Sequence, residues 1–93
     1  MSQMNDRALI LKGKALIFNI KASQYLQAAL FADIGNNYIG DALESCKRNE
    51  PKWMILENIN KAMIEPAIRN EHAKLFLIGA IECLNYDKIA DPQ

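Results

Sequence analysis

The chain has 93 residues, half of them apolar, with few glycines and prolines, which indicates one folded domain rather than a disordered segment. Eleven basic and eleven acidic residues cancel, so no net charge draws the whole chain toward nucleic acid or an anionic membrane. The longest apolar run, Leu75 to Ile81, is too short to span a bilayer, and the charges before Lys14 do not fit a signal peptide. We therefore expect a cytoplasmic protein.

The fold class follows from composition and periodicity. The chain has neither valine nor threonine, is rich in alanine, leucine, isoleucine and lysine, and has no sustained alternation of apolar and polar residues. We predict an all-α fold, a compact bundle of four to five helices forming a single domain over residues 1–93. Frayed tails are expected at residues 1–4 and 87–93.

Two helices are predicted before the first glycine-containing turn. The first begins near Asn5 or Asp6, either of which can act as an N-cap, and ends near Lys21. Ser23 can cap a second helix over residues 24–34, which is almost entirely apolar. Gly35 ends it, because glycine accepts the left-handed conformation found just after a helix.

The third predicted helix is clearly amphipathic. Asn36 or Asn37 can cap it, and Lys47-Arg48 suits its C-terminus because cations are favoured at that end of the helix dipole. Its apolar stripe consists of Tyr38, Ile39, Ala42, Leu43 and Cys46.

Two further helices complete the prediction. Pro51 lies near the start of the fourth, and Pro66 opens or kinks into a fifth that reaches about Asn85. The residues of the fourth helix expected to face inward are Trp53, Leu56, Ile59 and Met63. The apolar run 75–81 fits either the centre of the bundle or a subunit interface.

Nothing in the sequence favours catalysis. His72 is the only histidine and lies in a polar half-turn, where it is expected to be solvated. Cys46 and Cys83 belong to no metal-binding or redox spacing and are expected as buried thiols. The four glycines form neither a phosphate-binding loop nor a dinucleotide fingerprint. We expect a protein with no catalytic residues, no metal and no cofactor.

Residues 23–63 resemble the helix-turn-helix of phage Cro and repressor-type regulators. Four small or apolar residues fall at the offsets of that motif, namely Ala29, Ile34, Ile39 and Ala42. Four more match the packing positions of the following helix, namely Leu56, Ile59, Ala62 and Met63. Asp33 stands where the motif has its turn glycine, and Gly35 comes two residues later.

The resemblance implies binding to duplex DNA. Candidate base contacts are Asn36, Asn37 and Tyr38, and candidate phosphate contacts are Lys47, Arg48 and Lys52. Asp41 within the second motif helix would repel phosphate, and the Gly-Asn-Asn turn is explained equally by a plain helical hairpin. The hairpin is the favoured interpretation, and DNA binding is the alternative.

The leading functional hypothesis is a small helical module that binds a partner protein, as an inhibitor, antitoxin, immunity protein or adaptor would. Charge is segregated, with a basic first helix and an acidic C-terminal half that suits a cationic partner. Tyr38 and Trp53 are candidate hot spots, although Trp53 is also a candidate core residue. The acidic rim of such an interface would consist of Glu50, Glu57, Glu65, Glu71 and Glu82.

The apolar content also predicts self-association. Three apolar segments, 15–20, 25–34 and 75–81, exceed what one small core needs. Exposed apolar surface of that extent usually marks an interface. We therefore expect a homo-oligomer, in the first place a dimer.

Overall fold

The computed structural model describes the backbone of residues 3–86 and the side chains of residues 17–86. Within that range the chain forms helices and no strand, which confirms the predicted all-α fold. The four helices are α1 (Gln3–Ala32), α2 (Asn37–Lys47), α3 (Lys52–Met63) and α4 (Glu71–Leu84). None of these helices is both long enough and apolar enough to cross a membrane.

The helices run alternately up and down, and α1 packs on both α2 and α4. At one end of the bundle, Nδ2 of Asn70 donates to the carbonyl oxygen of Ala32, 2.9 Å away. At the other end, the ring centroids of Phe18 and Tyr86 lie 4.2 Å apart. These two contacts show that α4 is antiparallel to α1 and covers its second half. The bundle consists of two layers, α1 with α4 and α2 with α3.

The core is narrow because small residues fill much of it. The largest fully buried side chains come from all four helices and are Leu26, Ile39, Ile55, Ile59 and Leu77. Each contributes about 1.5–3 kcal/mol by leaving water. The remaining core is rich in alanine, at positions 22, 29, 42, 62, 73 and 80. Because alanines take these inner positions, twelve large hydrophobic side chains of the described range stay exposed.

The break predicted at Ser23 is wrong, since α1 continues for 30 residues. Ser23 does not cap a helix; its Oγ donates to the carbonyl oxygen of Ile20 one turn back, at 2.7 Å. Ala22 and Leu26 are fully buried on either side of this position, so tertiary packing carries the helix through it. Residues 3 and 4, expected in a tail, belong to α1, whereas the tails predicted at 1–2 and 87–93 lie outside the described residues.

The first half of α1 extends past the layer partner of its second half. The contact between Phe18 and Tyr86 places the C-terminal end of α4 level with the middle of α1. Residues 3–16 therefore continue for about 20 Å beyond that level, at 1.5 Å per residue. The Cα radius of gyration is 14.4 Å, whereas a compact chain of this length has about 12 Å.

The turn between α1 and α2 follows its predicted chemistry. Gly35 has φ of +95°, a conformation that side chains with a Cβ rarely adopt. Asn36 then caps α2, its Oδ1 accepting from the backbone N–H groups of Tyr38 and Ile39 at 3.1 and 3.3 Å.

Asn36 also holds the end of the bundle together. Its Nδ2 lies 3.1 Å from Oδ2 of Asp33 and 3.2 Å from the carbonyl oxygens of Ala62 and Ala67. The same Asp33 oxygen accepts from the backbone N–H of Arg69 at 3.2 Å. Asp33 and Asn36 are both buried, so this polar pair joins α1, α2, the end of α3 and the connection to α4 inside the fold.

The predicted end of α2 at Lys47-Arg48 is confirmed. Asn49 takes a left-handed conformation with φ of 54°. Its N–H bonds to the carbonyl of Cys46, and the N–H of Glu50 bonds to that of Ser45, which together form a Schellman motif.

The prediction that Pro66 opens the last helix is wrong. Residues 64–67 form a turn closed by the N–H of Ala67 on the carbonyl oxygen of Ile64, at 2.8 Å. The peptide bond between Glu65 and Pro66 is cis. The helix α4 begins only at Glu71, because Asn70 caps it by accepting from the N–H of His72 at 2.9 Å.

The buried pair predicts a selective loss of stability. Asn36→Ala removes the cap of α2 and leaves the Asp33 carboxylate with one donor fewer in the interior. We expect the free energy of unfolding to fall by about 2–4 kcal/mol. Urea denaturation followed by circular dichroism at the helical minimum measures the change. Asn37→Ala is the matched control, because Asn37 is exposed and should shift stability by less than about 0.5 kcal/mol. Equal stability of the two variants would contradict the role assigned to Asn36.

Candidate functional site

The two layers of the bundle present different surfaces. Eight of the twelve exposed large hydrophobic residues belong to α1, α4 or the residue shortly after α4, namely Ile17, Ile20, Tyr25, Phe31, Leu75, Phe76, Ile78 and Tyr86. The exposed sides of α2 and α3 instead carry ion pairs between residues one turn apart. Arg48 lies 3.0 Å from Glu44, and Lys61 lies 3.6 Å from Glu57. The α1/α4 layer is therefore the apolar side of the molecule and the α2/α3 layer the charged side.

Trp53 is the most exposed large hydrophobic side chain of α2 and α3. Its residue surface is 64 % exposed, so the expectation that α3 turns it inward is wrong. The inner positions of α3 are taken by Ile55 and Ile59, and Trp53 precedes Ile55 by two residues, which places it on a different side of the helix. Glu57, one turn after Trp53, is also exposed and shares its side of α3. The result is an exposed indole beside a carboxylate.

Tyr38 does not share a surface with Trp53. It is partly exposed in the first turn of α2, next to Asn36. Asn36 contacts Ala62 near the end of α3, whereas Trp53 stands at the start of α3. The two aromatic residues therefore lie at opposite ends of the α2/α3 layer.

The five glutamates predicted to form a rim are spread over the molecule. Glu57, Glu65, Glu71 and Glu82 are exposed and Glu50 is half-buried. Glu57 stands on α3 beside Trp53, whereas Glu82 lines the space between α1 and α4. Glu71 pairs with Lys74 at 3.4 Å. Only Glu57 and Glu50 lie near Trp53 along the chain, so the structure does not gather all five into one rim.

The residues proposed to contact DNA are also divided between the two ends of α2. Asn37 and Tyr38 are exposed at its start, and Lys47 and Arg48 are exposed at its end, about 15 Å away. Lys52 is half-buried at the start of α3. Asn36 is only 4 % exposed and its amide is engaged in the interior, so it is not available to a base.

The angle between α1 and α2 also differs from that of a DNA-binding helix-turn-helix. Sγ of Cys46, near the end of α2, lies 3.1 Å from the carbonyl oxygen of Asn19 in α1. Nδ2 of Asn19 also donates to Oδ1 of Asn49 at 3.2 Å. Residue 19 and residues 46 and 49 all lie about three or more helical turns from the turn that joins α1 to α2. Contacts between them therefore require α2 to run back alongside α1. A helix-turn-helix crosses its two helices at about 90–120°, so this pair has the geometry of a hairpin.

A shallow groove of about 280 Å³ runs between α1 and α4. It is lined by Phe18, Lys21, Tyr25, Gly79, Glu82, Cys83 and Tyr86. The ring of Tyr25 lies directly over Gly79, where an added Cβ would come within 2.6 Å of it. The groove is aromatic and open, which suits the insertion of a side chain better than the enclosure of a small molecule.

No group of three or more metal-ligating side chains converges within the described residues. His72 is exposed in the first turn of α4, as expected. Cys46 is a buried free thiol, and Cys83 is a half-buried one. Burial raises the pKa of both thiols, and for Cys46 the proximity of Cys83 raises it further.

The sequence alone does not single out the exposed apolar residues on the outer side of α1. Ile17, Ile20 and Phe31 recur at helical spacing, but a helix that ends near Lys21 separates the first two from the third. In the continuous helix α1, the same spacing places all three on one exposed side. No protein-family model, curated protein or solved structure matches the chain.

The thiols provide a test of this geometry. Because only the thiolate reacts and burial raises both pKa values, alkylation by iodoacetamide at neutral pH should be slow and should accelerate as the pH rises above 9. Cys83 should react before Cys46, which is 2 % exposed. Mass spectrometry of the intact chain measures the order, and Cys83→Ser assigns it. Faster modification of Cys46 in the folded chain would contradict the packing of α2 on α1.

Proposed function

We propose that the chain is a small, non-catalytic helical module that acts by binding a partner protein, in the manner of an inhibitor, antitoxin, immunity protein or adaptor. The observation that carries the proposal is the exposure of Trp53, the most exposed large hydrophobic side chain of α2 and α3. Tryptophan is among the residues most enriched at the energetic centres of protein interfaces. The backbone of Trp53 is already ordered in the first turn of α3, so binding there costs little further backbone entropy.

The acidic residues near Trp53 favour a cationic partner. Glu57 lies one turn along α3 on the same side, and Glu50 lies in the loop before the helix. A partner with an apolar pocket bordered by cations fits this combination. Such charge complementarity raises the association rate and selects the partner.

Replacement of the indole tests this proposal. Tagged chain purified from its native cells should retain a second protein in stoichiometric amount. Trp53→Ala should weaken that complex by about 2 kcal/mol or more, which is roughly thirtyfold in Kd. Phe31→Ala is the matched control, because Phe31 is a comparably exposed aromatic residue on the opposite layer.

Quantitative mass spectrometry of the eluates and titration calorimetry with the recovered protein measure these effects. Glu57→Gln should slow association and reduce its dependence on salt, with a smaller effect on dissociation. Retention of the partner by Trp53→Ala, or its equal loss with Phe31→Ala, would refute a binding surface centred on Trp53.

DNA binding is the alternative function, carried by the resemblance over residues 23–63. The hairpin geometry of α1 and α2 and the burial of Asn36 weigh against it. We expect no retardation of pooled genomic fragments in a gel-shift titration at low salt with micromolar protein. Retardation that weakens steeply with salt and is reduced by Arg48→Gln would favour the alternative instead.

A further inference from the structure

The outer side of α1 carries a stripe that faces away from the core. Its positions are 17, 20, 24, 27, 31 and 34, which alternate in steps of three and four residues. This spacing is the seam of a helix that packs along another helix. Ile17 and Ile20 are more than half exposed, Phe31 is 71 % exposed and Ile34 is 75 % exposed. Ile34 stands in the turn after α1, where the N–H of Asp33 still bonds to the carbonyl of Ala29.

The stripe has the same chemistry when it is read in either direction. Its two ends are apolar pairs, Ile17 with Ile20 and Phe31 with Ile34, and its centre is Gln24 with Gln27. Each member has a counterpart at equal distance from the midpoint between residues 25 and 26. A surface with this property complements itself when a second copy is turned end to end, as a two-fold interface requires.

We propose that two copies of the chain associate as an antiparallel two-fold dimer through this stripe. Ile17 of one copy packs against Ile34 of the other, Ile20 packs against Phe31, and Gln24 faces Gln27. Each contact occurs twice. The glutamine amides can donate and accept across the centre, which fixes the register that the apolar pairs favour. This dimer uses the opposite layer from Trp53 and does not depend on the proposed partner.

Charge selects the antiparallel orientation. Between Arg7 and Ala32 the chain has four cations and no anion, and three of the cations lie in the part of α1 that extends past α4. A parallel dimer would hold these two basic segments side by side. The antiparallel dimer places them at opposite ends, so their repulsion is avoided.

The aromatic groove between α1 and α4 lies beside the proposed interface and not within it. Its α1 residues Phe18, Lys21 and Tyr25 lie about 100–160° around the helix from Ile20, which faces Phe31 of the other copy. On the neighbouring helix α4, the exposed Leu75 and Ile78 add apolar surface to the α1/α4 layer.

The size of the surface sets the expected affinity. The stripe from 17 to 34 is about 25 Å long, and the α1/α4 layer is about 20 Å wide. The dimer would therefore bury roughly 1,000 Å² in total, which is the size of a weak, transient interface. Association is expected to depend on concentration in the micromolar range.

Charge exchange tests both the surface and its register. Sedimentation equilibrium of the full chain should show a monomer–dimer equilibrium, and Ile20→Glu or Phe31→Lys should each raise the dimer Kd by at least about tenfold, because each buries an unpaired charge. An equimolar mixture of the two variants should dimerise again, because Glu at position 20 then faces Lys at position 31. The double variant Ile20→Glu/Phe31→Lys should recover for the same reason, whereas a parallel dimer would place like charges together.

Trp53→Lys is the control for a charge introduced elsewhere, and it should leave the Kd unchanged. Circular dichroism should show full helicity in every variant, since the substituted residues are exposed in the monomer. A wild-type chain that stays monomeric into the high micromolar range would overturn the proposal. Failure of both the mixture and the double variant to recover would overturn the antiparallel register. Loss of the dimer in Trp53→Lys, with retention in Ile20→Glu, would assign the interface to the other layer.

Discussion

The buried contact between Asp33 and Asn36 determines how the four helices meet. A carboxylate and an amide in the interior are tolerated only because each has several partners. Together they satisfy donors and acceptors from the end of α1, the start of α2, the end of α3 and the connection before α4. Asn70 repeats the arrangement by capping α4 with its oxygen while its nitrogen bonds to the end of α1. One end of the bundle is thus fixed by side-chain amides rather than by apolar packing.

The alanine-rich core has a consequence for the outer surface. Small inner residues let the helices approach closely, so little volume is available inside for the aromatic and branched side chains. These are placed on α1 and α4, while α2 and α3 present ion pairs to water. A molecule with one apolar layer and one charged layer can use them for two different contacts. The proposed self-association on one side would leave Trp53 on the other side accessible to a different protein.

The bounds of α2 are predictable because its signals are local. The continuity of α1, the orientation of Trp53 and the partners of Asn36 depend on long-range packing and are not. The cap at Asn36, the glycine before it and the cations at Lys47-Arg48 lie within the helix or next to it, and each matched the structure. Ser23 carried an equally good local signal, but burial of the flanking Ala22 and Leu26 overrode it. The orientation of Trp53 depends on the rotation of α3 about its axis, which the burial of Ile55 and Ile59 in the core determines. Likewise, the carbonyls bound by Asn36 lie 26 and 31 residues away, a pairing that no local pattern contains.

Because α1 is one continuous helix, the number of residues in it determines which side chains share a side. One residue inserted between Ile20 and Phe31 would rotate everything before it by about 100° relative to the bundle. Ile17 and Ile20 would then leave the stripe that holds Phe31, although composition and hydropathy would hardly change. An insertion of seven residues would bring Ile17 and Ile20 back to the side of Phe31, but it would lengthen α1 by about 10 Å. Related chains that keep this surface should therefore vary in the loops and at the ends, and should keep the number of residues between positions 17 and 34.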